Sequence, residues 1–144
     1  QFSGVRDYLE EVKVQTKKNG YTETLFGRKR YFPGIKSKIP FIRAMAERMA
    51  INAPIQGTAT ADVIKIAIKK AEDALEKANL LDDTHLLLQI HDELVYEVKS
   101  EIVDKATKVI KEAMEGVLDD KKRNPEGVPI TVGISVGNNM GELK

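Results

Sequence analysis

Residues 86–98 read LLLQIHDELVYEV, and the interpretation of the whole 144-residue chain depends on them. Two apolar runs flank three consecutive polar residues, His91, Asp92 and Glu93. This pattern predicts a strand, a tight turn at the triplet and a second strand. A turn between two buried strands would hold its side chains rigidly at the sheet edge, which suits a metal ligand or a catalytic carboxylate. The same triplet is also typical of an exposed charged turn, so these residues alone leave both interpretations open.

The bulk composition is typical of one soluble globular domain. The chain is 42% apolar and 31% charged, and no apolar run approaches the roughly 18 residues of a membrane span, so we expect no membrane association. Cysteine is absent, which excludes disulfides and thiolate metal sites and fits an intracellular compartment. The formal net charge of +1 does not indicate a nucleic-acid-binding protein, so any such binding requires a local basic patch.

Periodicity and turn residues predict an α+β fold. Its small, mainly antiparallel sheet carries the HDE hairpin and packs against long helices. Ser3 is expected to cap the first helix and Gly20 to end it, and Pro54 is expected to interrupt the second. The predicted order is a helix from Ser3 to Gly20, a hairpin or extended excursion in 21–35 around Gly27, a helix in 39–52, a helix in 58–78, the strands of 86–98, a helix in 101–118 and a final strand in 129–136.

Residues 26–38, FGRKRYFPGIKSK, combine basic and aromatic side chains. Arg28 and Arg30 lie among Phe26, Tyr31 and Phe32. Basic residues interleaved with aromatics at a turn are suited to contact a phosphate backbone. A solvated basic loop whose aromatics enter the core has the same pattern, and both interpretations stay open.

Residues 48–65, RMAINAPIQGTATADVIK, contain two amides beside a proline-interrupted junction. Gly57 allows another backbone to approach closely there. The amides of Asn52 and Gln56 are suited to cap helix ends. They are equally able to donate to the minor groove of a nucleic acid, whose acceptors are shared by all base pairs.

Three segments in order, TLFGRKRYFPGI, ERMAINAPIQGTATADVIK and LLLQIHDELVYEV, resemble the C-terminal part of family A DNA polymerases, the bacterial DNA polymerase I group. The resemblance runs from the first helix to the closing VGISVGNNMGELK. Near its end the family usually has an Asn-Trp pair, where this chain has Asn139-Met140. It implies that residues 1–38 are a helix and basic hairpin adjoining the fingers, and that 39–144 are a partial palm, together forming essentially one structural unit.

The resemblance also implies roles for individual residues. Asp92 would bind the catalytic Mg²⁺ ions, Glu93 would be an auxiliary acidic residue and metal ligand beside them, and His91 would lie near the primer terminus. The implied DNA contacts are Arg48, Asn52 and Gln56 at the minor groove, Gln89 on the strand before the turn, and Arg28 and Arg30 near the primer backbone. The implied partners are primer–template DNA and dNTP, and the implied reaction is two-metal nucleotidyl transfer.

Two features of the family are not found in this sequence: the first motif, which carries the other metal-binding Asp, and the nucleotide-binding fingers helix. We therefore expect a fragment or one half of a split polymerase, inactive without the missing N-terminal portion. The alternative is a non-catalytic DNA-binding or interaction module derived from a polymerase. We expect a cytoplasmic, nucleoid-associated protein or a virus-encoded one.

Residues 56–62, QGTATAD, are one residue longer than the family's usual QGTAAD. An insertion within a regular helix would rotate everything after it by about 100°. We therefore expect the extra residue to be absorbed where the helix begins, near residues 58–60. We also expect a sheet without its first-motif strand to expose an apolar edge that a partner chain or dimer contact covers.

Overall fold

The computed structural model of the chain describes residues 3–143. Residues up to Asp62 form one compact unit, and residues from Val63 onward form a second. The boundary predicted from the sequence was at 38/39, within what was expected to be one structural unit. That boundary between a fingers-adjoining segment and the palm stays a prediction. The two compact units divide later, because residues 40–56 pack against the residues that precede them. Their shared core consists of Phe32, Ile35, Ala46, Ala50 and Ala53.

The first unit begins with a helix and a short hairpin. Helix α1 spans Ser3–Asn19, so Ser3 lies within the helix rather than capping it. Gly20 ends it, with φ +83° and an N–H that donates to the Thr16 carbonyl at 2.7 Å. Strands β1 (Tyr21–Glu23) and β2 (Lys29–Tyr31) then pair antiparallel. Both the end of the helix and the hairpin were predicted.

Helix α2 spans Pro40–Gln56 and contains Pro54, which was expected to interrupt it. The interruption does not occur, since the helix continues through the proline to Gln56. The Pro54 carbonyl accepts from the Thr58 hydroxyl at 2.6 Å and from the Gly57 N–H. Proline removes one backbone donor, and these contacts keep the next turn helical.

Residues Gly57–Asp62 form a π-helical turn directly after α2. A π-helical turn is closed by i→i+5 hydrogen bonds and holds more residues than an α-helical turn. The extra residue of QGTATAD is therefore absorbed near the predicted place. The mechanism differs from the prediction, since a widened turn takes it up rather than a helix start.

The second unit is built on two helices whose apolar faces pack together. Helix α3 spans Val63–Lys77 and helix α4 spans Val103–Glu115. Short 3₁₀ turns at Ser100–Ile102 and Gly116–Leu118 flank α4. The buried cluster comprises Ala71, Leu75, Leu80, Ala106 and Ile110. The periodicity of apolar residues predicted helices in 58–78 and 101–118, where these two helices lie.

Strands β3 (Thr84–Ile90) and β4 (Glu93–Val98) pair antiparallel in the second unit. The register shifts between Leu86 and Leu88, so Leu87 is the extra residue of a β-bulge. The expectation of two buried strands is wrong for β3, where only Thr84 is buried. Leu86, Leu87, Leu88 and Ile90 are 39%, 53%, 45% and 40% exposed. With helices and short two-stranded sheets, the described chain has a mixed α+β fold.

The predicted final strand in 129–136 is not formed. Its alternating apolar residues are suited to a strand, but a strand requires a neighbour for its backbone hydrogen bonds. Within residues 3–143 the two sheets each contain two strands, and neither pairs with this segment. The Val132 N–H donates instead to the Glu115 carboxylate at 2.9 Å.

Candidate active site and DNA interface

The predicted catalytic triplet occupies the connection between β3 and β4. Ile90 pairs with Glu93, so His91 and Asp92 form a two-residue turn and Glu93 begins β4. His91 has φ +54°, a conformation that usually belongs to glycine at the first position of such a turn. Holding a non-glycine residue there costs on the order of 1 kcal/mol, and such strain is concentrated at functional sites.

Asp92 and Glu93 present free carboxylates. Both residues are exposed. Neither side chain has a hydrogen bond or ion pair to any residue in 3–143, whereas many other surface carboxylates of the chain pair with lysine or arginine. Unpaired carboxylate oxygens on a short turn remain available to a cation or another external ligand.

This donor set fits part of a magnesium site. Mg²⁺ prefers oxygen ligands and is usually held by one or two carboxylates together with substrate phosphates. Asp92 and Glu93 supply such carboxylates. Among residues 3–143 there is no group of three or more His, Asp or Glu side chains placed to hold a metal ion. Further ligands would therefore have to come from substrate, water or another polypeptide segment.

Gln89 interacts with the turn itself. Its side-chain Nε2 donates to the His91 carbonyl at 3.2 Å. The predicted DNA-binding amide therefore also braces the turn whose first residue is strained. The structure does not test the minor-groove contact that the resemblance implies for Gln89.

Three of the predicted DNA-binding residues lie along one stripe of α2. Arg48, Asn52 and Gln56 are four residues apart, which places them on one helix face. All three are exposed. Their side chains have no hydrogen bond or ion pair within residues 3–143. The opposite face buries Ala46, Ala50 and Ala53, so packing determines which way the stripe points.

The two arginines of the basic hairpin differ in their surroundings. Arg30 lies near the stripe, with Nη2 4.0 Å from the Met49 sulfur and its guanidinium carbon 5.5 Å from the centre of the Phe32 ring. Arg28 instead donates from Nε to Asp62 Oδ1 at 2.7 Å and from Nη2 to the Gly57 carbonyl at 2.9 Å. Arg30 therefore remains on the surface, whereas Arg28 is held by hydrogen bonds to Asp62 and Gly57.

The sequence did not indicate a role for Asp62. Its side chain is only 10% exposed, and its Oδ2 is buried without a hydrogen-bond partner among the described residues. The one signal that pointed to this region was the extra residue in QGTATAD. That signal concerned the length of the segment and did not identify Arg28 as the partner of Asp62.

Comparisons with known proteins agree on one family. The model of the family described as DNA polymerase family A matches residues 1–142. DNA polymerase I of Rhizobium leguminosarum is 50% identical over 115 residues, covering 80% of this chain and 11% of that protein. The thermostable DNA polymerase I of Thermus filiformis is 42% identical over 143 residues, covering 99% of this chain and 16% of that protein.

A solved structure is similar to most of the chain. It is the POL domain of Pol1 from M. smegmatis in complex with DNA primer-template and dNTP. The TM-score is 0.76 at 44% identity, with coverage of 81% of this chain and 20% of that one. The chain therefore spans between about a tenth and a fifth of the length of these relatives. None of the helices formed within residues 3–143 combines the length and apolar content of a membrane span.

Proposed function

Because the chain belongs to DNA polymerase family A and is similar to bacterial DNA polymerase I, we propose that it supplies the palm part of a template-directed DNA polymerase. The observation that carries the proposal is the exposed HDE turn within a match over residues 1–142. The relatives compared are bacterial, which supports a bacterial rather than a viral source.

The reaction is nucleotidyl transfer from dNTP to primer. The primer 3′-hydroxyl gives up its proton to water and attacks the α-phosphate of the dNTP. A new phosphodiester bond forms, the bond from the α-phosphorus to the oxygen of the β-phosphate breaks, and pyrophosphate leaves with the electron pair. Magnesium ions, when bound, supply charge stabilisation to the attacking and leaving oxygens. Asp92 would be a ligand, Glu93 would add negative charge and a second ligand, and His91 would lie beside the primer end.

The chain's own contribution to rate is preorganisation. A two-residue turn, braced by the Gln89 amide, allows the Asp92 backbone few alternative positions. A carboxylate held in this way needs little reorganisation as charge develops on the phosphate oxygens. The strain at His91 fits such a turn, since the flanking strands maintain an unfavourable backbone conformation.

The stripe of α2 would contact the primer–template duplex. Arg48, Asn52 and Gln56 present free donors, and the minor groove offers A N3 and T O2 acceptors at equivalent places in either orientation of the base pair. A contact of this kind tests the shape of a base pair without reading its identity, as a copying enzyme requires. Arg30, beside the stripe, would contact backbone phosphate.

The remaining parts of the active site would come from a polypeptide that carries the first two family motifs, either in the same parent chain or in a separate subunit. We refer to this chain joined to or mixed with such a polypeptide as the completed enzyme. On this proposal the isolated chain does not extend a primer. The coverage of relatives, 11% and 16% of their length, supports the need for such a complement.

The test is the substitution Asp92→Asn in the completed enzyme. We expect primer extension to fall by at least about a hundredfold, because one charged ligand is lost at the reacting phosphate. Binding of primer–template should change little. Asp82→Asn, at an exposed position outside the turn, is the matched control and should retain wild-type extension.

Full extension by Asp92→Asn would contradict the catalytic role of Asp92. If that variant also kept wild-type, salt-sensitive DNA binding, the chain would be a non-catalytic DNA-binding module derived from a polymerase.

A further inference from the structure

The guanidinium of Arg28 bridges the two ends of the π-helical turn. It donates to the carbonyl of Gly57 at 2.9 Å and to the carboxylate of Asp62 at 2.7 Å. These two residues are the first and last of the turn and lie five positions apart. Five positions is also the spacing of the hydrogen bond that closes a π-helical turn. A single side chain therefore connects both ends of the segment that contains the extra residue.

The stability of the Asp62 carboxylate in its buried position depends on the ion pair with Arg28. Its side chain is 10% exposed, whereas that of Arg28 is 49% exposed. Asp62 Oδ2 is buried without a hydrogen-bond partner among the described residues, so the pair with Arg28 is the principal compensation of its charge. A buried carboxylate without its cation is strongly unfavourable, whereas an exposed arginine loses little when its partner is removed.

The hairpin loop is fastened to the same turn by two further contacts. The Leu25 N–H donates to the Thr58 hydroxyl at 3.0 Å, and that hydroxyl donates to the Pro54 carbonyl at 2.6 Å. A Cβ on Gly57 would lie only 2.7 Å from the Thr24 methyl group. The basic hairpin and the turn thus lie too close for a side chain between them.

The turn is directly connected to Gln56, the last residue of α2. The Thr60 hydroxyl donates to the Gln56 carbonyl at 2.7 Å. The exit from α2 therefore depends on how the widened turn is held. If the turn changed shape, the Gln56 side chain would be the first member of the stripe to be reoriented.

We propose that Arg28 is a positioning residue and not a phosphate ligand: it holds the π-helical turn through Asp62 and Gly57, and thereby sets the orientation of Gln56. This inference rests on the proposed function, which assigns Gln56 a contact with DNA. It replaces the role that the family resemblance implies for Arg28. Arg30 and Arg48 remain as the arginines that face DNA.

The salt dependence of DNA binding separates a positioning residue from a phosphate ligand. In the completed enzyme, loss of one phosphate contact lowers the slope of log affinity against log salt by about one. We expect Arg30→Gln, the matched control, to reduce the slope in this way. Arg28→Gln should leave the slope unchanged and weaken primer–template binding by about tenfold at every salt concentration, since one amide contact is lost.

Asp62→Asn provides the sharper test. Removing a negative charge near DNA would strengthen binding or leave it unchanged if charge alone mattered. We expect it to weaken binding by about as much as Arg28→Gln, because both break the same contact. In a Gln56→Ala background, neither substitution should weaken binding further, since the contact they position is already absent.

A reduction of the slope by about one in Arg28→Gln would overturn the inference, and so would unchanged or tighter binding by Asp62→Asn. If Arg28→Gln weakened DNA binding equally in the wild-type and Gln56→Ala backgrounds, the claim that Arg28 acts through Gln56 would be overturned. Binding is measured well below the unfolding temperature of each variant, and if Arg28→Gln does not fold, Asp62→Asn decides. Failure of the proposed function is distinguishable, because it is measured by the primer extension of Asp92→Asn, whereas the role of Arg28 is measured by the binding of primer–template.

Discussion

At the residue scale, Gly57 shows a requirement set by packing rather than by backbone conformation. Its φ of −60° and ψ of −39° are ordinary helical values that any residue adopts. The constraint comes from a neighbour, since a Cβ at this position would lie 2.7 Å from Thr24 Cγ2 and 3.0 Å from Arg28 Nη2. The sequence predicted close approach of another backbone at Gly57, but the atoms that approach are those of the Thr24 and Arg28 side chains in the hairpin.

We expect Gly57→Ala to destabilise the first unit by about 1–3 kcal/mol, as overpacking of a close contact does. Thr24→Ser removes the clashing methyl group and keeps the hydroxyl that accepts from the Arg28 N–H, so the double variant should recover most of the loss. Urea denaturation measures both effects. Gly4→Ala is the control, because nothing lies within 4 Å of a Cβ there. A double variant no more stable than Gly57→Ala would contradict this account.

At the element scale, helices α1 and α2 are joined by an ion pair between Lys17 and Glu47 at 2.8 Å. The hydrogen bond from Lys17 holds the pKa of the Glu47 carboxyl below its ordinary value of 4.5. A carboxyl whose pKa is lower in the folded state contributes stability above its unfolded pKa. That contribution is lost as the pH falls through the folded value.

We therefore expect the free energy of unfolding of the first unit to decline below about pH 4.5, and Glu47→Gln to remove part of that decline. At neutral pH the same variant should be modestly less stable, because the charge-assisted hydrogen bond is lost. Urea unfolding at a series of pH values measures this. Glu126→Gln, in an exposed loop, should keep the wild-type profile. A Glu47→Gln profile parallel to that of the wild type would contradict the assignment.

At the scale of the whole molecule, β3 presents apolar side chains that nothing in the described chain buries. Leu86, Leu87, Leu88 and Ile90 are each about 40–50% exposed. Exposed apolar strands favour association with another strand or chain. Since the chain spans 11% and 16% of the length of its relatives, the polypeptide that carries the first motif is the expected cover.

We expect Leu87→Asp to weaken assembly of the chain with that polypeptide by about tenfold or more, since a charge would enter the contact. Sedimentation or titration calorimetry measures the association. Val14→Asp is the control. Val14 is 66% exposed on α1, so this substitution should leave the association unchanged. A chain that remains a monodisperse, well-folded monomer and assembles equally well with Leu87→Asp would show that β3 is not the contact.

Much of the local structure could be predicted from short-range pattern. Gly20 and the periodic apolar residues of α3 and α4 marked helices that the structure contains. The three segments identified the family that the comparisons then confirmed. Of the candidate site, the family resemblance implied Arg48, Asn52 and Gln56, and the structure places them on one exposed stripe of α2. Their roles toward DNA remain predictions.

The errors arose where an outcome depends on distant residues. Pro54 lies within α2, and its carbonyl accepts from the Thr58 hydroxyl and the Gly57 N–H. The segment 129–136 has a strand pattern, but no strand in the described chain pairs with it. The apolar pattern of β3 predicted that its leucines are buried, but they are exposed in this chain. In each case the sequence pattern reports only a local preference, and contacts with residues elsewhere in the chain determine the outcome.

The sequence by itself therefore determined the order of elements, the family and the charge and amide groups available to a site, because periodicity and motif order are local properties. Only the tertiary structure decided which of those groups are free. Among residues 3–143 the Asp92 and Arg48 side chains have no hydrogen bond or ion pair, whereas Arg28 is bound to Asp62, 34 residues away along the chain. No local pattern reports a contact of that separation, since it exists only once the hairpin and the π-helical turn have come together.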